Sequence, residues 1–104
     1  MIRVNFYKKD GLFKGFECKG HSSLGEEGND ILCAFVSSAC YMTANTVTEV
    51  LKLDAAARDA DGYMRLDIKD APEKAQDILE GMLLHFKELE KDYPDEIKVI
   101  TTEE

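Results

Sequence analysis

The sequence has few of the features that mark a disulfide-stapled or metal-built domain. It holds three cysteines, Cys18, Cys33 and Cys40, spaced 15 and 7 residues apart. That spacing fits no zinc-site pattern, and no disulfide framework is expected of thiols in a reducing compartment. No metal or organic cofactor is implied. The N-terminal segment MIRVNFYKKD lacks the apolar core of a signal peptide, and uninterrupted apolar runs fall short of the ~18 residues of a membrane span. Linkers, repeats and low-complexity tracts are missing. Basic side chains are scarce, 13 against 21 acidic ones, for a net charge of −8. The imbalance sits in the second half: residues 51–104 carry 8 basic and 15 acidic side chains, the first fifty 5 and 6. An acidic chain repels phosphate backbones, which argues against direct nucleic-acid binding, and it attracts a basic protein partner. The expectation is a cytoplasmic protein with no membrane association. Its 104 residues form one domain spanning 1–104.

What is present suffices for one modest core, since 44% of residues are hydrophobic and 9% aromatic. Ile2, Val4 and Phe6 alternate with Arg3, Asn5 and Tyr7, the period of a half-buried strand. Lys8 to Gly11 read as a turn into a second strand over about 12–19, with Leu12, Phe16 and Cys18 on one face. Residues 20–29, GHSSLGEEGN, break every periodicity and read as an exposed loop. Asp30 then opens a long apolar stretch as a helix N-cap. Ile31 to Val36 are nearly apolar all round, which predicts a helix covered on most sides by its own sheet or by a second subunit. A second hairpin follows, with Asp61-Gly62 as a type I′ turn. A second helix starts at Asp70 and Pro72, carries the stripe Ala75, Ile78, Leu79, Met82, Phe86 and Leu89, and ends before Pro94. Residues 96–101 form the last strand. The order is ββαββαβ, an α+β fold whose antiparallel sheet carries both helices on one face. The uncovered sheet face and the unusually apolar first helix predict a homodimer.

The residues able to carry chemistry cluster around the first helix start. With Asp30 as cap, Cys33 occupies the third helical position, where the positive end of the helix dipole favours the thiolate. Ser37 lies one turn on along the same face. His21 ends the second strand, and the loop after it is long enough to bring His21 to Cys33 as a Cys–His dyad for acyl transfer. Asp30 can cap the helix, orient His21, or do both. Plain structural roles exist for each: a cysteine in an apolar helix start is usually core, and a histidine at a strand end is usually surface. Cys18 and Cys40 read as core. Cys40 is ~10.5 Å along the helix from Cys33, beyond disulfide reach. His85 reads as a boundary residue of the second helix, and the carboxylates at 88–96 as a solvated face.

The set Gly20, His21, Asp30, Cys33, Ala34 and Ser37, in the pattern G-H-x8-D-x2-C-A-x2-S, resembles the signature of the ribosomal-processing cysteine protease Prp family. The resemblance covers the whole chain. It implies a homodimeric cysteine endopeptidase that removes the N-terminal extension of large ribosomal subunit protein twenty-seven, a basic ribosomal protein precursor. Carried over by position, Cys33 is the nucleophile, His21 the general base, and Asp30 and Ser37 supporting residues. The stretch Gly20, Ser22, Ser23, Leu24, Gly25, Glu26, Glu27 and Gly28 is the substrate flap. The chain departs from many members after Ala34, where Phe35 and Val36 replace small residues. Two other readings share some of these features: a thiol redox sensor built on Cys33, and a non-catalytic module that binds basic ribosomal proteins.

Overall fold

The computed structural model describes residues 1–20 and 31–104. The chain begins with an antiparallel hairpin, β1 (Ile2–Lys9) and β2 (Leu12–Lys19). α1 runs Ile31–Asn45 and continues into one π-helical turn, Thr46–Val50. A second hairpin, β3 (Ala55–Ala60) and β4 (Tyr63–Ile68), leads through a 3-10 turn at Pro72–Ala75 into α2 (Gln76–Asp92) and then β5 (Ile97–Glu103). The five strands make one sheet in the order β3-β4-β2-β1-β5.

The element order and the α+β class are those expected, and β5 adds a parallel pairing with β1, which makes the sheet mixed. The reason is direction. β4 and β1 each pair antiparallel with β2, so they point the same way. α2 reverses the chain after β4, and β5 therefore returns in the direction of β4 and β1.

One face of the sheet is the core. Ile2, Val4, Phe6, Phe16, Cys18, Met64, Leu66, Ile97 and Val99 are buried against Leu32, Val36, Cys40, Ala44 and Val47 of the first helical segment and Ala75, Leu79, Met82, Phe86 and Leu89 of the second. Phe6 is the hinge of an aromatic cluster, with Phe13, Phe16 and Phe86 rings 5.9, 6.3 and 6.4 Å away. The opposite face is polar. There Arg65 Nε donates to Asp67 Oδ2 at 2.9 Å and Arg65 stacks 4.6 Å from the Tyr7 ring centroid. Tyr63 donates its hydroxyl to Glu17 Oε2 at 2.8 Å.

Four local expectations are corrected. Phe13, not Leu12, joins the core, because a β-bulge shifts the register between Tyr7↔Gly15 and Lys8↔Phe13 and so exchanges the faces of the residues before it. The type I′ geometry occurs at Asp10-Gly11, with φ of 54° and 79°; at Asp61-Gly62 only Gly62 is left-handed, at 68°. Asp70 does not cap the second helix. Ala71, left-handed at φ 52°, precedes the 3-10 turn, and Ala75 precedes α2, neither with a side-chain cap. Finally, Ile31–Val50 is one 20-residue helical segment, long and apolar enough to cross a membrane by length and composition. Here the stripe Leu32, Val36, Cys40, Ala44 and Val47 is spent on the sheet.

Within this one chain the apolar first helix is not covered on every side. Ile31 is 62% exposed, Phe35 46% and Met42 55%. Phe35 and Met42, with His85 and Ile78 of α2, border a groove of about 660 Å³ between the two helices. Thr43 is buried at the base of this groove, and its Oγ1 has no hydrogen-bond partner among the described residues.

Candidate active site

The site lies at the other side of α1. Its first wall is helical: Cys33 and Ala34 in the first turns, Ser37 one turn on, and Cys40 and Tyr41 a turn beyond. These positions share a face because they are spaced three or four apart. The second wall is the end of the sheet, where Cys18 and Gly20 close β2 and Asp61, Gly62, Tyr63 and Met64 turn from β3 into β4. Together they enclose an open cleft of about 260 Å³. Cys33 is half-buried and Ser37 exposed within it, while Cys18 and Cys40 are buried in its floor. The three thiols are not joined in a disulfide.

Gly20 is the fixed point of the sheet wall. Its φ is 101°, and a Cβ there would come within 2.2 Å of the Met1 carbonyl oxygen. Its N–H donates to the Gly62 carbonyl at 2.9 Å, which ties the end of β2 to the β3–β4 turn. Only glycine combines that conformation with that approach. On the helical wall, the Tyr41 hydroxyl donates to Asp59 Oδ2 at 2.7 Å, which holds edge strand β3 against α1. That carboxylate raises the Tyr41 phenol above its ordinary value, first through the hydrogen bond and then through its charge.

Of the residues expected at the site, Cys33, Ser37 and Gly20 come together in this cleft. His21, Asp30 and the flap positions Ser22, Ser23, Leu24, Gly25, Glu26, Glu27 and Gly28 lie outside the described residues, and so does the capping of α1 by Asp30. Phe35 lines the groove on the far side of α1, and Val36 is buried at 3% exposure. The departure at Phe35 therefore leaves the cleft without an added ring. His85 is exposed beside Phe86, as a boundary residue should be. Tyr41, Tyr63, Met64 and Asp61 were not expected at the site from the sequence. Tyr41 alone carried a signal, four residues beyond Ser37 on the same helical face; the other three arrive through strand pairing.

The fold is known from other proteins. Residues 1–98 match the family described as Cysteine protease Prp. The ribosomal processing cysteine protease Prp of Bacillus subtilis (strain 168) is 29% identical over 93 residues, which are 83% of this chain and 83% of that protein. The crystal structure of the S. aureus ribosomal processing protease Prp, solved with a covalently linked product peptide, is similar with a TM-score of 0.89 at 26% identity. That match covers 98% of this chain and 100% of that one. A crystal structure from Streptococcus mutans is similar with a TM-score of 0.83 at 29% identity, over 100% of this chain and 99% of that one. These likenesses define a cysteine protease. The chain belongs to the Cysteine protease Prp family.

Proposed function

We propose that this protein is a cytoplasmic endopeptidase that removes the N-terminal extension of large ribosomal subunit protein twenty-seven, with Cys33 as nucleophile and His21 as general base. The observation that carries the reading is the shared cleft. Cys33 and Ser37 line one wall, and Gly20, the residue immediately before His21 in the chain, lines the other. The S. aureus relative was solved with a covalently linked product peptide and, in a second structure, with a substrate peptide, which supports a peptide as the occupant.

In this reading the Cys33 sulfur attacks the scissile carbonyl, and His21 takes the thiol proton and passes it to the leaving amine. A thioester remains, and water activated by the same imidazole releases it. Backbone N–H groups at the start of α1 are the donors available to stabilise the developing oxyanion. Asp30 and Ser37 support the site, and the stretch from Gly20 to Gly28 admits the peptide. The net charge of −8 favours encounter with a strongly basic precursor and disfavours direct nucleic-acid binding. No cofactor takes part.

The test is cleavage of a peptide spanning the extension junction. Cys33→Ala lowers the rate by about 10³-fold or more, and His21→Ala by about 10²-fold or more, with the fold intact by circular dichroism. Full activity in folded Cys33→Ala excludes the thiol mechanism. Cys40→Ala retains most activity. A host gene that encodes protein twenty-seven without an extension removes this substrate while leaving the protease class untouched.

A further inference from the structure

Two of the three thiols have no part in that chemistry, and they meet in the floor of the same cleft. Cys18 closes β2 and Cys40 faces it from α1, 8% and 1% exposed. The Cys40 thiol donates a hydrogen bond to the Cys18 sulfur. That contact holds Cys18 below the ordinary thiol range, against burial and the Glu17 charge. It pushes Cys40 up, and burial adds to the effect. Cys18 is thus the more acidic of the two thiols and Cys40 the less acidic. Cys33 cannot take either role with Cys40, because two helical turns separate them by ~10.5 Å.

We propose that Cys18 and Cys40 are an oxidisable pair, which a peroxide entering the cleft converts to a disulfide tying α1 to β2 beneath Cys33. The Cys18 thiol ionises and its sulfur attacks one peroxide oxygen; the S–O bond forms, the O–O bond breaks, and the departing hydroxide takes up the proton that Cys18 released and leaves as water. The Cys40 sulfur then attacks the sulfenic sulfur. The S–S bond forms, the S–O bond breaks, and the second water leaves with the Cys40 proton. Two electrons pass from the two sulfurs to one hydrogen peroxide. The bond closes a loop from residue 18 to residue 40 that contains Cys33 and Ser37. It also draws the two sulfurs from hydrogen-bond contact to ~2.05 Å, which contracts the floor of the cleft.

The pair does not depend on the protease reading, so the test is run on the full chain with the nucleophile removed. Cys33→Ala protein is treated with hydrogen peroxide, denatured, alkylated with N-ethylmaleimide and weighed. The unmutated chain with Cys33 blocked by iodoacetamide serves as a second sample. The expected result is a mass lower by two hydrogens, neither thiol alkylated, and one linked peptide pair containing Cys18 and Cys40, all reversed by dithiothreitol. The oxidised form also melts several degrees higher than the reduced form. Alkylation of both thiols in both samples, at peroxide doses that oxidise Cys33 in the unmutated chain, overturns the proposal. Cross-links found only between chains overturn it as well.

Discussion

Gly20 shows how much one residue decides. Its position next to His21 is plain in the sequence, but the need for glycine comes from the chain's own N-terminus passing 2.2 Å from where a Cβ would stand. Gly20→Ala must move either Met1 or the β2 end, at a cost of at least about 2 kcal/mol from the left-handed backbone and the overlap together. Chemical denaturation reads that loss, and cleavage falls further than stability alone accounts for, because the displaced segment leads into His21. Glu17 is the second such residue. Burial alone would raise its carboxyl, but the Tyr63 hydroxyl, then Lys19 and Arg65, outweigh burial and hold it below the usual carboxylate value. A depressed carboxylate stabilises the fold above the unfolded-state pKa of ~4.3, and that contribution is lost as pH falls through the lower folded value. Glu17→Gln is therefore less stable than the parent at pH 7, and the gap closes in acid below about pH 4. A gap that stays constant between pH 7 and pH 3 contradicts the assignment.

At the scale of elements, the connection between β2 and α2 rests on one amide. Gln76 Oε1 accepts from the Phe13 N–H at 2.8 Å, and its Nε2 donates to the Phe13 carbonyl at 2.9 Å. The side chain completes the hydrogen bonding of the bulge and pins the start of α2 to it. Gln76→Ala leaves two part-buried backbone groups unpaired, a loss of about 1–3 kcal/mol readable as a lower denaturant midpoint. The free edge of β5 is met the same way: Glu90 accepts from the Val99 N–H at 2.8 Å, and Lys87 donates to its carbonyl at 3.1 Å. Glu90 was expected on a solvated face. Its helical position is clear from the period of 3.6 residues, but the strand it serves lies nine residues further on and is brought back only by the turn at Pro94.

For the whole molecule, the question is what covers the groove between α1 and α2. We propose that a second copy of the chain does so. Phe35 and Met42 are about half exposed there although they belong to an apolar helix, and the groove runs between them and His85. Phe35→Glu, placed in that groove, converts the dimer to a monomer in sedimentation velocity at micromolar concentration. A parent protein that sediments only as monomer refutes the proposal.

Much of this was legible in the sequence. Alternation of apolar residues marks the strands, the 3.6-residue stripe of α2 marks its buried face, and the spacing of four puts Cys33 and Ser37 on one face of α1. These are local or near-local properties, which the chain carries at every point. Tertiary structure alone decided the rest. The bulge that exchanges Leu12 for Phe13 is set by pairing with β1. The direction of β5 follows from α2 crossing the sheet. The meeting of Cys18 with Cys40, 22 positions apart, and the cleft wall of Asp61, Tyr63 and Met64 exist only because β4 pairs with β2 and α1 lies across both. Such contacts join residues distant in the chain, and no periodicity within a segment records which distant segment it will face.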